Sequence, residues 1–248
     1  MDHLLYIAMS GAKENMHGIS VRANNLANSN TVGFKADFEQ ARAMQAFGEG
    51  LPSRVFAMTE QPGQNFDAGP MIMTDRELDI AIQGDGWFAV QDADGNEAYT
   101  RAGNLQLNPT GMLETANGRA VIGDGGPIQL PVPLAKLEIG QDGTISALPQ
   151  GAPANVLEEV GRIKLVNPVY ADLTKGTDGL FRRKDGQLAV ADVNVSLLHG
   201  AYEGSNVNAV GEMTYMISLQ RQFELQVKMM KSAEEMDRQQ NALLRIMG

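Results

Sequence analysis

Apolar residues recur at Leu5, Met9, Ala12, Met16, Ile19, Ala23 and Leu26, with spacings that alternate between four and three. This heptad rhythm belongs to a helix with one apolar seam, and it predicts a coiled-coil-like segment over residues 1–30. Ser10, Lys13, His17, Ser20, Asn24 and Asn28 form a second stripe, polar but nearly uncharged. Near the other end Met216, Leu219, Phe223, Val227 and Met230 repeat the helical spacing, and Ala233, Met236, Leu243 and Met247 continue it with a drift of phase. Neither Pro nor Gly interrupts residues 212–247, so the pattern predicts one helix of about 36 residues, roughly 54 Å at the standard rise. A helix that long outruns a single small core.

Between these ends the period changes to two. LDIAIQ (78–83) and RIKLV (162–166) alternate apolar with polar, GWFAVQ (86–91) is a short rich strand, and DADGN, NPTG, GDGG, QDGT and KDGQ are turn signals. Residues 79–203 therefore read as an all-β body of short strands. Residues 31–78 differ again, with an amphipathic piece around 38–47 followed by PSR, QPGQ and AGP, the grammar of an extended or irregular connector. The predicted class is α+β: discontinuous helical ends, 1–30 and 204–248, pairing in space around a central β domain.

Charge sharpens this division. The 248 residues include 30 acids against 20 bases, yet residues 1–30 and 204–248 are each neutral, so the whole formal charge of −10 lies between them. Neutral ends suit surfaces that pack against copies or relatives, because like charges brought into register repel. Of 14 methionines, three lie in 1–30 and six in 204–248; adaptable packing against unlike neighbours and plain core filling both account for them.

Candidate chemistry is sparse. The chain has no Cys, which removes disulfides and thiolate zinc, and His3, His17 and His199 form no ligand pair. DADGNE opens like a calcium loop but has its glycine fourth instead of sixth, and reads as a hairpin turn. No G-x-S-x-G, P-loop or dinucleotide fingerprint occurs. An acidic chain without a basic stripe is a poor nucleic-acid binder. The opening MDHLLYIAMSGAKEN fits neither a secretory leader nor a membrane span. The expectation is a protein without enzyme activity, cofactor or metal.

The stretch NNLANSNTVGFKADFE (24–39) looks like a joint. Asn24, Asn25, Asn28 and Asn30 stand at and beyond the helix end, where uncharged amides can bond to free carbonyls or adjacent helices. Gly33 offers a positive φ for leaving the helix, and Phe34 an anchor for the exit. Simple capping of a frayed helix is the competing reading.

ANNLANSNTVGFK (23–35), DIAIQGDGWFAV (79–90), YTRAGNLQLNPTGML (99–113) and GSNVNAVGEMTYMISLQRQFE (204–224) together resemble the signatures of the flagellar rod and hook axial proteins of bacteria, in the right order and over nearly the whole chain. The MDH start, the DGW and the 141–155 segment most resemble the proximal rod members. The resemblance implies terminal helices paired as an inner domain around a central export channel, with the β domain outward. It further implies passage through the flagellar type III export apparatus without a cleaved leader, and a place in the periplasmic rod of the basal body, transmitting torque. Partners would be other copies, proximal rod subunits and the distal rod protein, met along the helix seams, with no membrane insertion. A distal rod or hook-type member is the nearest alternative; a phage-tail-like tube component is the more distant one.

Overall fold

Asn208 decides where the C-terminal helix begins. Its side-chain oxygen accepts a hydrogen bond from the Gly211 backbone N–H at 3.1 Å, an N-cap four residues ahead of the Gly-free run, and α2 accordingly spans Ala209–Met247. The N-terminal helix, α1, covers Asp2–Ala27. The structure, a computed structural model, describes residues 2–45, 55–151 and 158–247. Its contacts separate the chain into two units, Met1–Ser29 with Ala36–Asn65 and Val207–Gly248, and Asn30–Lys35 with Phe66–Asn206.

In the helical unit α1 packs along α2. Arg22 bonds to Glu212 and Asn15 to Gln226, so the helices run antiparallel. The same unit holds an antiparallel ribbon, Asp37–Gln45 against Val55–Gln64. The sequence pattern had suggested an irregular connector over 31–78, and here the fold differs. Phe38 pairs with Gly63 and Gln40 with Glu60, so Gln61 and Pro62 fall in the irregularity between them. A proline is tolerated in a strand at an edge or a bulge, and a two-stranded ribbon has only edges. Residues 46–54, which include PSR and the end of the 38–47 piece, lie outside the described residues, as do residues 152–157.

The other unit is built from short strands, as the alternating pattern required. A five-stranded antiparallel sheet runs in the order Leu165–Val166, Trp87–Gln91, Glu97–Thr100, Phe181–Arg183, Leu173–Lys175. Leu134–Ile139, Thr144–Pro149 and Glu158–Arg162 form a three-stranded sheet, and Ile80–Gln83 pairs with Ser196–His199. Trp87–Gln91 is buried on both faces. Phe88 joins a core with Ile80, Leu105, Leu113 and Ile145, while Trp87 and Ala89 join Tyr99, Val166 and Phe181. The DADGN turn is closed by its own first residue: Asp92 Oδ1 accepts from the N–H groups of Asp94 and Asn96 at 3.0 and 2.8 Å. Its other oxygen accepts from Arg182 at 2.8 Å, and that hydrogen bond, ahead of the turn's own, holds the Asp92 carboxyl below the usual aspartate range.

Candidate functional site

Two features stand out, the helix faces of one unit and a charged cluster inside the other. On α1 the small residues Ala8 and Ala12 are buried, and a Cβ on Gly11 would lie 2.5 Å from Gln226 Nε2 on α2. Small residues let helices approach, since interaxial distance follows the side chains at the contact. Asn15 Nδ2 donates to Gln226 Oε1 at 3.3 Å. Arg22 reaches both Glu212 oxygens, at 3.1 and 3.2 Å, and lies 4.9 Å over the Tyr215 ring.

The expected seam is split by this geometry. Ala12 faces inward and Leu5, Ile19 and Leu26 are half-buried, whereas Ala23 is exposed and Met9 and Met16 are 55% and 60% exposed. One partner helix covers only part of the apolar arc, and the bulkier members fall on its flank. On α2 Met216, Leu219, Phe223, Val227 and Met230 are half-buried and Ala233 is buried, whereas Met236 is 48% exposed. A second apolar stripe on α2 stays open, with Val210, Met213, Ile217, Leu225 and Met229 each at least half exposed. Helical spacing gives period readily, but phase only weakly when apolar residues surround the helix.

The asparagines divide in the same way. Asn25 is fully buried; its Nδ2 donates to the Asp37 carbonyl at 2.7 Å, and its Oδ1 accepts from the Asp37 N–H at 2.9 Å, so the amide mimics a strand and holds the ribbon's start to α1. Asn28 Nδ2 donates to the Asn24 carbonyl at 2.9 Å, adding a side-chain bond to an acceptor that already takes the Asn28 backbone N–H at 3.1 Å. Asn24 and Asn30 are exposed. Gly33 has φ 68° and a Cβ there would stand 2.3 Å from both Ala102 N and Arg101 C. Its positive φ agrees with the sequence reading, but it is packed within the β-rich unit instead of lying free. Phe34 is half-buried beneath the Lys175 ammonium, 3.9 Å from the ring centre.

Next to Phe34 lies the residue that pattern reading passed over. Lys35 is 1% exposed, and its Nζ donates to Glu203 Oε1 at 2.7 Å and to the Asp67 carbonyl at 2.8 Å. Glu203, also 1% exposed, accepts from the Gly69 N–H at 2.8 Å with the same oxygen and from Arg101 at 2.9 Å with the other. Arg101 also donates to the Gly84 carbonyl at 2.7 Å, with its guanidinium 5.5 Å from the Trp87 ring centre. The Glu203 carbonyl accepts from the Gly33 N–H at 2.7 Å. Burial pushes the Lys35 ammonium below the usual lysine range, and the hydrogen bond and charge of Glu203 oppose it. Three sequence blocks, TVGFK, YTRAGN and the residue before GSNVN, thus meet at one carboxylate. The signal available in the sequence was a charge set among apolar and small residues in each block.

Among the described residues no group of three His, Cys, Asp or Glu side chains could hold a metal ion, and no helix is long and apolar enough to cross a membrane. The family models described as flagella basal body rod protein, flagellar hook protein FlgE/F/G D1 domain, and flagellar basal body rod FlgEFG protein C-terminal match residues 5–35, 81–147 and 198–243. The flagellar basal-body rod protein FlgF of Escherichia coli is 44% identical over 98% of this chain and 99% of its own. The chain belongs to the flagellar basal-body rod family. FlgF of Salmonella typhimurium is 42% identical over the same shares, and the rod protein FlgG of Bacillus subtilis is 32% identical over 93% of this chain and 95% of its own. The rod-family models at the two ends cover most of α1 and α2, and the D1 model covers strands of the central core. Rod proteins of this family are structural and not enzymes.

Proposed function

We propose that the chain is a structural subunit of the proximal flagellar rod, polymerising with copies and other rod proteins around a central export channel and transmitting torque. The observation that carries this is full-length similarity to FlgF joined to helix faces left apolar and exposed. Met9 and Met16 of α1 and the open stripe of α2 are uncharged surface of the kind a neighbouring helix covers. Delivery by the flagellar type III export apparatus belongs to the same reading, as does a position among the other proximal subunits and the distal rod protein.

Met16→Asp and Ile217→Asp test it. Both positions are more than half exposed, so the isolated variants keep the parent circular dichroism and thermal melt. Buried against a neighbour, each charge lacks a partner, which costs several kcal/mol, about 3–5 by analogy with broken buried pairs. Strains carrying either substitution lose motility, and isolated basal bodies lack the subunit. Normal swimming by both at parent expression levels overturns the assignment of these faces to assembly.

A further inference from the structure

The β-rich unit receives the chain at Asn30, releases it at Lys35, takes it back at Phe66 and releases it again at Asn206. The bonds of Glu203 reach three of these passages. Its carboxylate holds Lys35 and the Gly69 N–H, its carbonyl holds the Gly33 N–H, and Arg101 braces it from the sheet side. Neighbouring bonds knit the same segments, with the Gly204 N–H on the Pro70 carbonyl at 2.8 Å and the Asn206 N–H on the Phe34 carbonyl at 3.3 Å. Lys175 Nζ adds a bond to the Lys35 carbonyl at 2.8 Å.

We propose that Glu203, with Lys35 and Arg101, is a clasp that makes the passages of the chain into and out of the β-rich unit open and close as one cooperative element. A buried ion pair is a weak source of stability, because desolvation opposes the attraction, but removing one partner leaves an uncompensated charge behind. The clasp is therefore all-or-none. Lys35 and the Gly69 N–H share one oxygen of Glu203, and Glu203 cannot move without leaving the Lys35 and Arg101 cations uncompensated and releasing the Gly33 and Gly69 N–H groups. In a rod subunit, a pull on any one connection would reach the same buried carboxylate. That consequence rests on the proposed function; the cooperative opening does not.

The test is native-state amide hydrogen exchange on the purified full-length chain, which reports local opening separately from global unfolding. In the parent, Gly33, Gly69 and Gly204 exchange at a common protection level. In Glu203→Gln all three speed up together, by about a hundredfold or more, as a broken buried charge pair implies. Leu113 and Val121, whose N–H groups bond within the core to Ile128 and Leu113, change no more than a few-fold. Lys35→Met is the second variant. Its lost ammonium bonds neither Gly33 nor Gly204, so acceleration there reads coupling and not a missing contact. Acceleration of Gly69 alone, of none, or of Leu113 and Val121 to the same extent overturns the clasp. Because the measurement uses the free subunit, such a failure is distinct from a failure of rod incorporation.

Discussion

Replacing Gly33 by alanine separates two reasons for a glycine. The backbone there sits at φ 68°, in the left-handed region where an L side chain costs about 1–2 kcal/mol. The added Cβ would also stand 2.3 Å from Ala102 N and Arg101 C, backbone atoms that cannot rotate away. Forcing a carbon into a packed site adds about 1–3 kcal/mol, so Gly33→Ala should lose about 2–5 kcal/mol in all. Gly118 is the matched control, with φ 72° and nothing within 4 Å of its Cβ position, so Gly118→Ala carries the conformational cost alone. Urea unfolding followed by the single tryptophan, buried Trp87, reads both in the same unit. At equal m-values the midpoint of Gly33→Ala falls below that of Gly118→Ala by the packing contribution. Equal midpoints refute the packing argument and return Gly33 to the role of a hinge with space around it.

Arg22→Ala removes a two-oxygen bond to Glu212 and the stacking on Tyr215, and lowers the helix melt followed at 222 nm by about 1–2 kcal/mol; an unchanged melt means the pair is idle. Burial first, then the Glu97 charge, pushes the Tyr99 hydroxyl up to about 12, so its contribution to stability is complete below the unfolded value of about 10 and fades as pH rises through about 12. Phenolate absorbance should show a late phase that Tyr99→Phe diminishes. Asp92 works in the opposite sense: its depressed pKa contributes stability above the unfolded value of about 4, lost as pH falls through the folded one. Asp92→Asn should flatten the acid limb of a stability–pH curve, and an unaltered limb refutes the Arg182 bond as its source.

How much of this could be seen in the sequence depended on what each residue answers to. Period is a local property, so both helices and the short strands were legible, as was the positive φ at Gly33. Phase depends on the partner, and α1 meets α2 through Gly11, Asn15 and Arg22, which hydrophobicity ranks below Met9 and Met16. The ribbon at 37–45 and 55–64 was obscured because Pro62 and Gly63 read as breakers while a bulge accommodates them. The Lys35, Arg101 and Glu203 cluster was hidden for another reason. Its members lie as much as 168 residues apart, and a charge set among apolar and small residues does not say which distant residue it meets.

The order of elements along the chain has a consequence for folding time. α1 is complete at Ala27, but the helix it packs against begins only at Ala209. Pairing them directly means closing a loop of about 180 residues, and closure entropy grows with the logarithm of loop length. The bond from the Gly33 N–H to the Glu203 carbonyl changes the problem, because once it exists the effective loop is only a few residues on either side. Shortening a loop from about 180 to about 10 residues lowers the closure cost by about 2–3 kcal/mol, which multiplies the effective concentration of one helix near the other by roughly a hundredfold. The folding of residues 30–35 with 66–206 thus shortens the loop between the helices, and a chain in which it came late would leave two long helices searching for each other through the whole length between them.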